Sequence, residues 1–176
     1  MLTMELSAIQ DMIRDVPNFP KKGIIFKDIT PVLQNKDSLR CVIDSMFEQL
    51  KAKKIDYVVG IESRGFIFSP ILAYRLNAGF VPVRKKGKLP ARTEEIAYEL
   101  EYGQAVLEIH QDAFEKGARV AIVDDLLATG GTAAATAQLV ERLGGKVEKM
   151  AFLVELLFLK GRNKLEKYDI YSMIQY

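Results

Sequence analysis

Two adjacent carboxylates followed by a turn of small residues carry the most specific chemistry in the chain. The run reads Asp124-Asp125-Leu126-Leu127-Ala128-Thr129-Gly130-Gly131-Thr132, and it follows the apolar stretch Val120-Ala121-Ile122-Val123. An apolar strand delivers such acids to the carboxyl edge of a sheet, where open α/β folds bind ligands. Ala128, Gly130 and Gly131 let backbone come close to a ligand. Thr129 and Thr132 bring hydroxyls. A helix starting there offers unpaired N–H groups and its positive dipole end to a phosphate. Two acids beside a phosphate cradle repel the anion that the turn attracts. The conflict resolves if a ribose lies between them, its vicinal hydroxyls donating to the carboxylates while its 5′-phosphate sits in the turn. The same acids offset positive charge that builds on the ribose in a transition state.

A second candidate is Glu62-Ser63-Arg64-Gly65, directly after the apolar run 57–61. Arg64 suits a forked contact to phosphate oxygens, and Gly65 suits a tight turn. A third is the basic run Arg84, Lys85, Lys86 and Lys88. Alone, such a run is a solvated loop; beside a pyrophosphate site, it neutralises a leaving group. Other chemistries are excluded. Neither G-x-x-x-x-G-K-[ST] nor G-x-G-x-x-G occurs. The single cysteine, Cys41, sits among apolar residues and reads as an inert thiol. The single histidine, His110, rules out metal sites built from several His or Cys ligands.

The elements that must position these groups follow from periodicity. Leu6, Ile9, Ile13 and Val16 predict a helix over 3–15, ended by Pro17-Asn18-Phe19-Pro20. Residues 23–28 read as a short strand or extended loop, and 37–53 as an amphipathic helix. Apolar runs predict strands at 57–61, 80–83, 120–123 and 147–154, with helices at 66–76 and 132–143. That alternation predicts an α/β fold, a doubly wound and mostly parallel sheet with helices on both faces. Residues 84–104 interrupt the rhythm and form a candidate lid. A chain of 176 residues suits one domain. Its net charge of +2 is too small to argue for nucleic acid. No apolar run reaches ~18 residues, and the first residues lack a signal-peptide pattern, so a cytoplasmic location is expected.

Residues 120–132 resemble the phosphoribosyl pyrophosphate (PRPP) motif of the type I phosphoribosyltransferases. Four segments together resemble the adenine phosphoribosyltransferase family: P-K-K-G-I-I-F-K-D-I-T-P-V-L from Pro20, R-K-K-G-K-L-P with Y-E-L-E-Y-G within 84–103, the D-D-L-L-A-T-G-G-T run, and V-E-L-L-F-L-K-G at 154–161. The likeness runs from Val16 to Tyr176. It implies the type I fold on a single domain, a hood from about 1–34 and a flexible lid at about 84–104. It implies transfer of the 5-phosphoribosyl group from PRPP to N9 of adenine, giving AMP and pyrophosphate. Mg²⁺ would ride on PRPP with no direct protein ligand. A homodimer is implied, in which basic lid residues reach the neighbouring subunit's site; no nucleic-acid or membrane partner is expected. By the resemblance, Asp124 and Asp125 hold the ribose hydroxyls, and Ala128, Thr129, Gly130, Gly131 and Thr132 wrap the 5′-phosphate. Ser63, Arg64, Arg84, Lys85 and Lys88 face pyrophosphate, with a non-proline cis peptide at Glu62–Ser63. Backbone at Ile25 and Lys27 reads adenine, and Phe26 packs on its ring; Lys27 stands where arginine is common. Glu101 is the acid/base residue and Tyr102 covers the closed site. On pattern alone Glu99 and Glu101 share a strand face, and only the resemblance favours Glu101.

Two other readings stay open on the sequence. One is a phosphoribosyltransferase for another base: xanthine, hypoxanthine/guanine or orotate. The other is a non-catalytic PRPP-sensing regulator, which would keep the phosphate turn but need neither the basic run nor Glu101. A PRPP synthase would need a longer chain and an ATP site.

Overall fold

The computed structural model describes residues 4–99 and 104–176. Glu101 and Tyr102, and the 100–103 tip of the expected lid, lie outside the described residues. Met1–Ser45 and Met46–Tyr176 form two compact units.

The first unit carries α1 (Leu6–Met12), β1 (Arg14–Pro17), β2 (Ile25–Asp28), α2 (Thr30–Gln34) and the start of α3 (Lys36–Leu50). The helix predicted over 3–15 is therefore shorter, and its last residues form a strand. Pro17 disfavours helical backbone at Val16, and Ile13 is already extended at φ −73°, ψ 120°. The extended residues then pair antiparallel with β2, Val16 opposite Phe26 and Asp15 opposite Lys27. Asn35 caps α3, its Oδ1 accepting from Asp37 and Ser38 N–H, each at 3.0 Å. The amphipathic helix predicted over 37–53 ends at Leu50; a tighter turn takes 51–53, and Lys54 breaks it at φ 50°.

The second unit is a seven-stranded sheet. Its elements are β3 (Tyr57–Ile61), α4 (Gly65–Leu76), β4 (Gly79–Lys85), β5 (Thr93–Glu99), β6 (Gln104–His110), β7 (Arg119–Leu127), α5 (Gly131–Arg142), β8 (Lys146–Glu155) and β9 (Ile170–Gln175). The strand order is β5-β6-β4-β3-β7-β8-β9. Five strands, from β4 to β9 in that order, run parallel, and β5 and β6 add an antiparallel edge. The fold is thus the mostly parallel α/β sheet expected. Val59, Ile61, Val83, Ile122, Leu139 and Phe152 lie in its apolar core.

From β3 the chain winds one way to β4, and from β7 the other way to β8. Right-handed crossovers in opposite directions put α4 and α5 on opposite faces and open a crevice between the carboxyl ends of β3 and β7. The region 84–104, expected as a candidate lid that opens on a basic run and continues strand-like, has regular strand structure over much of its described length. β4 continues to Lys85, and β5 and β6 form a ladder from Thr93 opposite His110 to Glu99 opposite Gln104. Charged residues at 94, 95 and 99 mask the alternation that would announce β5. β6 and β9 are further strands that periodicity did not reveal. Among the described residues no helix is long and apolar enough to cross a membrane.

Candidate active site

A cavity of about 350 Å³ opens at this switch point. It is lined by residues 61–64 after β3, Lys85 at the end of β4, Tyr98, Leu107 and the continuous run 124–133. Of the residues expected to hold phosphate, ribose and pyrophosphate, it gathers Ser63, Arg64, Lys85, Asp124, Asp125, Ala128, Thr129, Gly130, Gly131 and Thr132. Arg84 and Lys88 are not in its wall. Ile25, Phe26 and Lys27 belong to the first unit.

The turn expected to take phosphate is built by β7 and α5. The strand continues through both acids to Leu127, four residues beyond the predicted end at Val123. Gly130 then takes φ 78°, a left-handed conformation open to glycine, and serves as the N-cap of α5. Its carbonyl accepts from Ala134 N at 2.9 Å, closing the first helical turn. The N–H groups of the first helical turn have no acceptor within the helix, and residues 128–133 line the cavity.

The two acids sit side by side near the end of β7, Asp124 half-buried and Asp125 buried. Asp125 is 4% exposed, and Arg64 Nε lies 2.9 Å from its Oδ2. Oδ2 is thus a buried oxygen that is ion-paired to Arg64 and has no hydrogen-bond partner among the described residues. Asp124 Oδ1 accepts from Asp125 N at 2.9 Å. Burial, then the neighbouring Asp125 charge, raises the Asp124 carboxyl well above its ordinary range. Asp124 retains some surface open to the cavity, which tempers that desolvation. Burial also raises Asp125, against the pull of the Arg64 guanidinium.

On the other wall, the Glu62–Ser63 peptide is cis, as expected, and leads into the first turn of α4. Glu62 organises the basic residues. Its carboxylate accepts from Arg84 Nε at 3.2 Å, Arg84 Nη2 at 3.0 Å and Lys85 N at 3.1 Å. The Arg84 hydrogen bonds hold Glu62 below the usual carboxylate range, and Lys85 N–H adds to them against the effect of burial. Arg84 Nη1 also donates to Lys88 O at 3.0 Å. Arg84 is thereby turned to the protein, while Lys85, its neighbour on the pleat, faces the cavity.

Behind the turn sits Glu108, only 2% exposed. It accepts from Lys88 N and Leu89 N, both at 2.7 Å. Burial pushes this carboxyl up, but the backbone donors outweigh it and leave it below its usual value. Among the described residues no group of three His, Cys, Asp or Glu is arranged to hold a metal ion.

Tyr98 is a wall residue that the sequence reading missed. Thr132 Oγ1 donates to its hydroxyl at 3.2 Å, and its ring lies against Gly131. The signal was available: Tyr98 shares a strand face with buried Ile96. Replacing Tyr98 by phenylalanine frees the Thr132 hydroxyl. The expected result is a rise of about three-fold in the KM for the phosphate-bearing substrate with kcat nearly unchanged, the scale of one neutral hydrogen bond worth about 0.5–1.5 kcal/mol. Steady-state kinetics checks this.

Comparison with known proteins points the same way. The phosphoribosyl transferase domain family matches residues 29–175. An adenine phosphoribosyltransferase of Acidobacterium capsulatum is 55% identical over 174 residues, covering 99% of this chain and 96% of that one. The crystal structure of adenine phosphoribosyltransferase from Thermoanaerobacter pseudethanolicus is 56% identical with a TM-score of 0.95, covering 98% of this chain and 100% of that one. The Saccharomyces cerevisiae enzyme, crystallised with an imino-altritol bisphosphate and adenine, is 44% identical with a TM-score of 0.91, covering 96% of this chain and 97% of its own. The cavity at the β3–β7 switch point thus belongs to a phosphoribosyltransferase, and the chain is a member of the adenine phosphoribosyltransferase family.

Proposed function

We propose that the chain transfers the 5-phosphoribosyl group of PRPP to N9 of adenine, releasing pyrophosphate and forming AMP, a cytoplasmic reaction of purine salvage. The observation that carries this reading is the adjacent Asp124 and Asp125, half-buried and buried, lining one cavity with the glycine turn and helix start that follow them. The 5′-phosphate occupies the turn of residues 128–132. The ribose hydroxyls donate to the two carboxylates, both of which line the cavity.

Pyrophosphate lies toward Ser63, Arg64 and Lys85, which share the cavity wall. Arg84 and Lys88 add positive charge from the basic run, at their own cavity or at that of a partner subunit in a homodimer. The carboxylates of Asp124 and Asp125, which line the cavity, fit a site into which Mg²⁺ is carried on PRPP with no direct protein ligand, since magnesium keeps waters and takes few protein ligands. When bound it would offset charge on the departing pyrophosphate.

As the bond from C1′ to pyrophosphate oxygen loosens, C1′ gains positive charge. Asp124 and Asp125 stabilise that charge through the ribose. N9 adds to the opposite face, and Glu101 takes the N9 proton. The chain's contribution is position and electrostatics, with no covalent enzyme intermediate. Residues of about 84–104 act as the lid, with Tyr102 over the closed site, and keep water from the cationic ribose.

In the first unit, Ile25 and Lys27 are two apart on β2 and send their backbone groups to the same side of the strand. One C=O and one N–H from that side fit the exocyclic amine and N1 of adenine. The Lys27 side chain is ion-paired to Asp15 at 2.6 Å, which suits a base read by backbone alone. Phe26 packs edge-on against Phe19 and is the ring that meets the base. The test is direct: with PRPP, Mg²⁺ and adenine, AMP and pyrophosphate should form in equal amounts. A protein that binds PRPP and forms no nucleotide would instead be the sensing regulator.

A further inference from the structure

The chain between β8 and β9 touches the phosphate turn backbone to backbone. A Cβ built on Gly161 would overlap the Ala128 carbonyl oxygen and lie 3.0 Å from Gly130 N. A Cβ on Gly130 would in turn overlap the Gly161 carbonyl oxygen. Two glycines therefore allow a contact that no other pair of residues permits without moving one of the two segments.

Gly161 is itself held firmly. The next residue, Arg162, makes a forked pair with Glu155, Nε to Oε1 at 2.7 Å and Nη2 to Oε2 at 2.8 Å. Glu155 is 2% exposed and also accepts from Ser172 Oγ at 2.6 Å. The same Glu155 stands opposite Leu127, the last residue of β7 before the turn. One rung of the sheet thus anchors both the start of the phosphate turn and the segment that backs it.

We propose that Gly161 is a positioning residue for the 5′-phosphate site. It acts as a backstop fixing the Ala128–Gly130 backbone, with Arg162 and Glu155 setting where that backstop lies. None of the three lines the cavity. The proposal rests on the reading that the 128–132 turn takes the 5′-phosphate. A displaced turn weakens ligands that carry this phosphate and leaves adenine untouched, whereas general destabilisation would lower active enzyme without a selective change in one KM.

The experiment measures melting temperature, kcat, the KM values of PRPP and adenine, and the Kd of AMP. Gly161→Ala should raise the PRPP KM and AMP Kd about ten-fold, with the adenine KM within about two-fold of wild type. A folded Gly161→Ala protein with unchanged PRPP KM and AMP Kd overturns the proposal. If Gly161→Ala does not fold, Arg162→Lys decides, because it keeps the charge and loses the fork. It should raise the same two constants about three-fold, and no rise overturns the proposal. A Thr129→Ala/Thr132→Ala protein separates the two layers of the argument. If it binds AMP as wild type does, the phosphate assignment fails and the backstop with it. If it weakens AMP while Gly161→Ala does not, the backstop alone fails.

Discussion

Replacing Asp124 and Asp125 together by asparagine is expected to lower turnover by about 10³-fold or more, the scale on which removal of one preorganised electrostatic partner costs ~10²–10³. The shape of the site survives, since an amide oxygen in place of the Asp124 Oδ1 still accepts the backbone N–H of the next residue. What disappears is negative charge beside the ribose as C1′ becomes cationic. Single-turnover rates with saturating PRPP and adenine measure this, and activity within ten-fold of wild type would defeat the ribose assignment. Stability should move the other way. Burial raises the Asp124 carboxyl above its ordinary value of 3.8. Between that value and the raised one, the folded chain keeps a proton that the unfolded chain has lost. Stability therefore falls as pH rises through this window and stays reduced above it. An asparagine side chain does not titrate, so the Asp124→Asn protein should melt higher than wild type near neutral pH. The gap should close below about pH 4, where Asp is protonated in both states.

With PRPP saturating, adenine should be used at least ~10⁴ times more efficiently than hypoxanthine. Hypoxanthine carries an acceptor where adenine has its amine, and a donor where adenine has the bare N1. Both backbone groups proposed to read the base would be left facing like groups, and a buried unpaired polar group costs about 1–3 kcal/mol each before any repulsion. The ratio of kcat/KM values for the two bases checks this, and a ratio below about 10² would rule out backbone reading by Ile25 and Lys27. The ratio should survive in a Lys27→Ala protein, because that side chain is already engaged by Asp15.

How much of this was legible in the sequence depends on the distance over which each part is determined. The 120–132 run declared itself because strand, acids, glycines and helix start are contiguous, and the structure only lengthened the strand to Leu127. Arg64 was legible for the same reason. Arg84 was not: its place depends on Glu62, which lies on another strand end and takes the guanidinium. Neither Glu108 nor Glu155 was singled out in the sequence, yet each is 2% exposed, because donors from distant segments meet them. Tyr98 hid in a strand whose charges blurred its period. The N-terminal helix was overcounted because helical spacing in Ile13 and Val16 was outweighed by Pro17 and by pairing with β2. Gly161 carried no local sign of its task, since its partner is a turn from a different strand connection.

The carboxylate of Glu108, tied to the N–H groups of Lys88 and Leu89, also settles when freedom is lost. A loose basic turn would have to surrender backbone motion at every encounter with an anion, on the order of 1–2 kcal/mol for each residue ordered. Here the base of that turn is already immobilised as the polypeptide collapses. If this turn takes the departing anion as proposed, capture has fewer backbone rotors left to arrest, so electrostatic attraction is converted into affinity with less entropic loss.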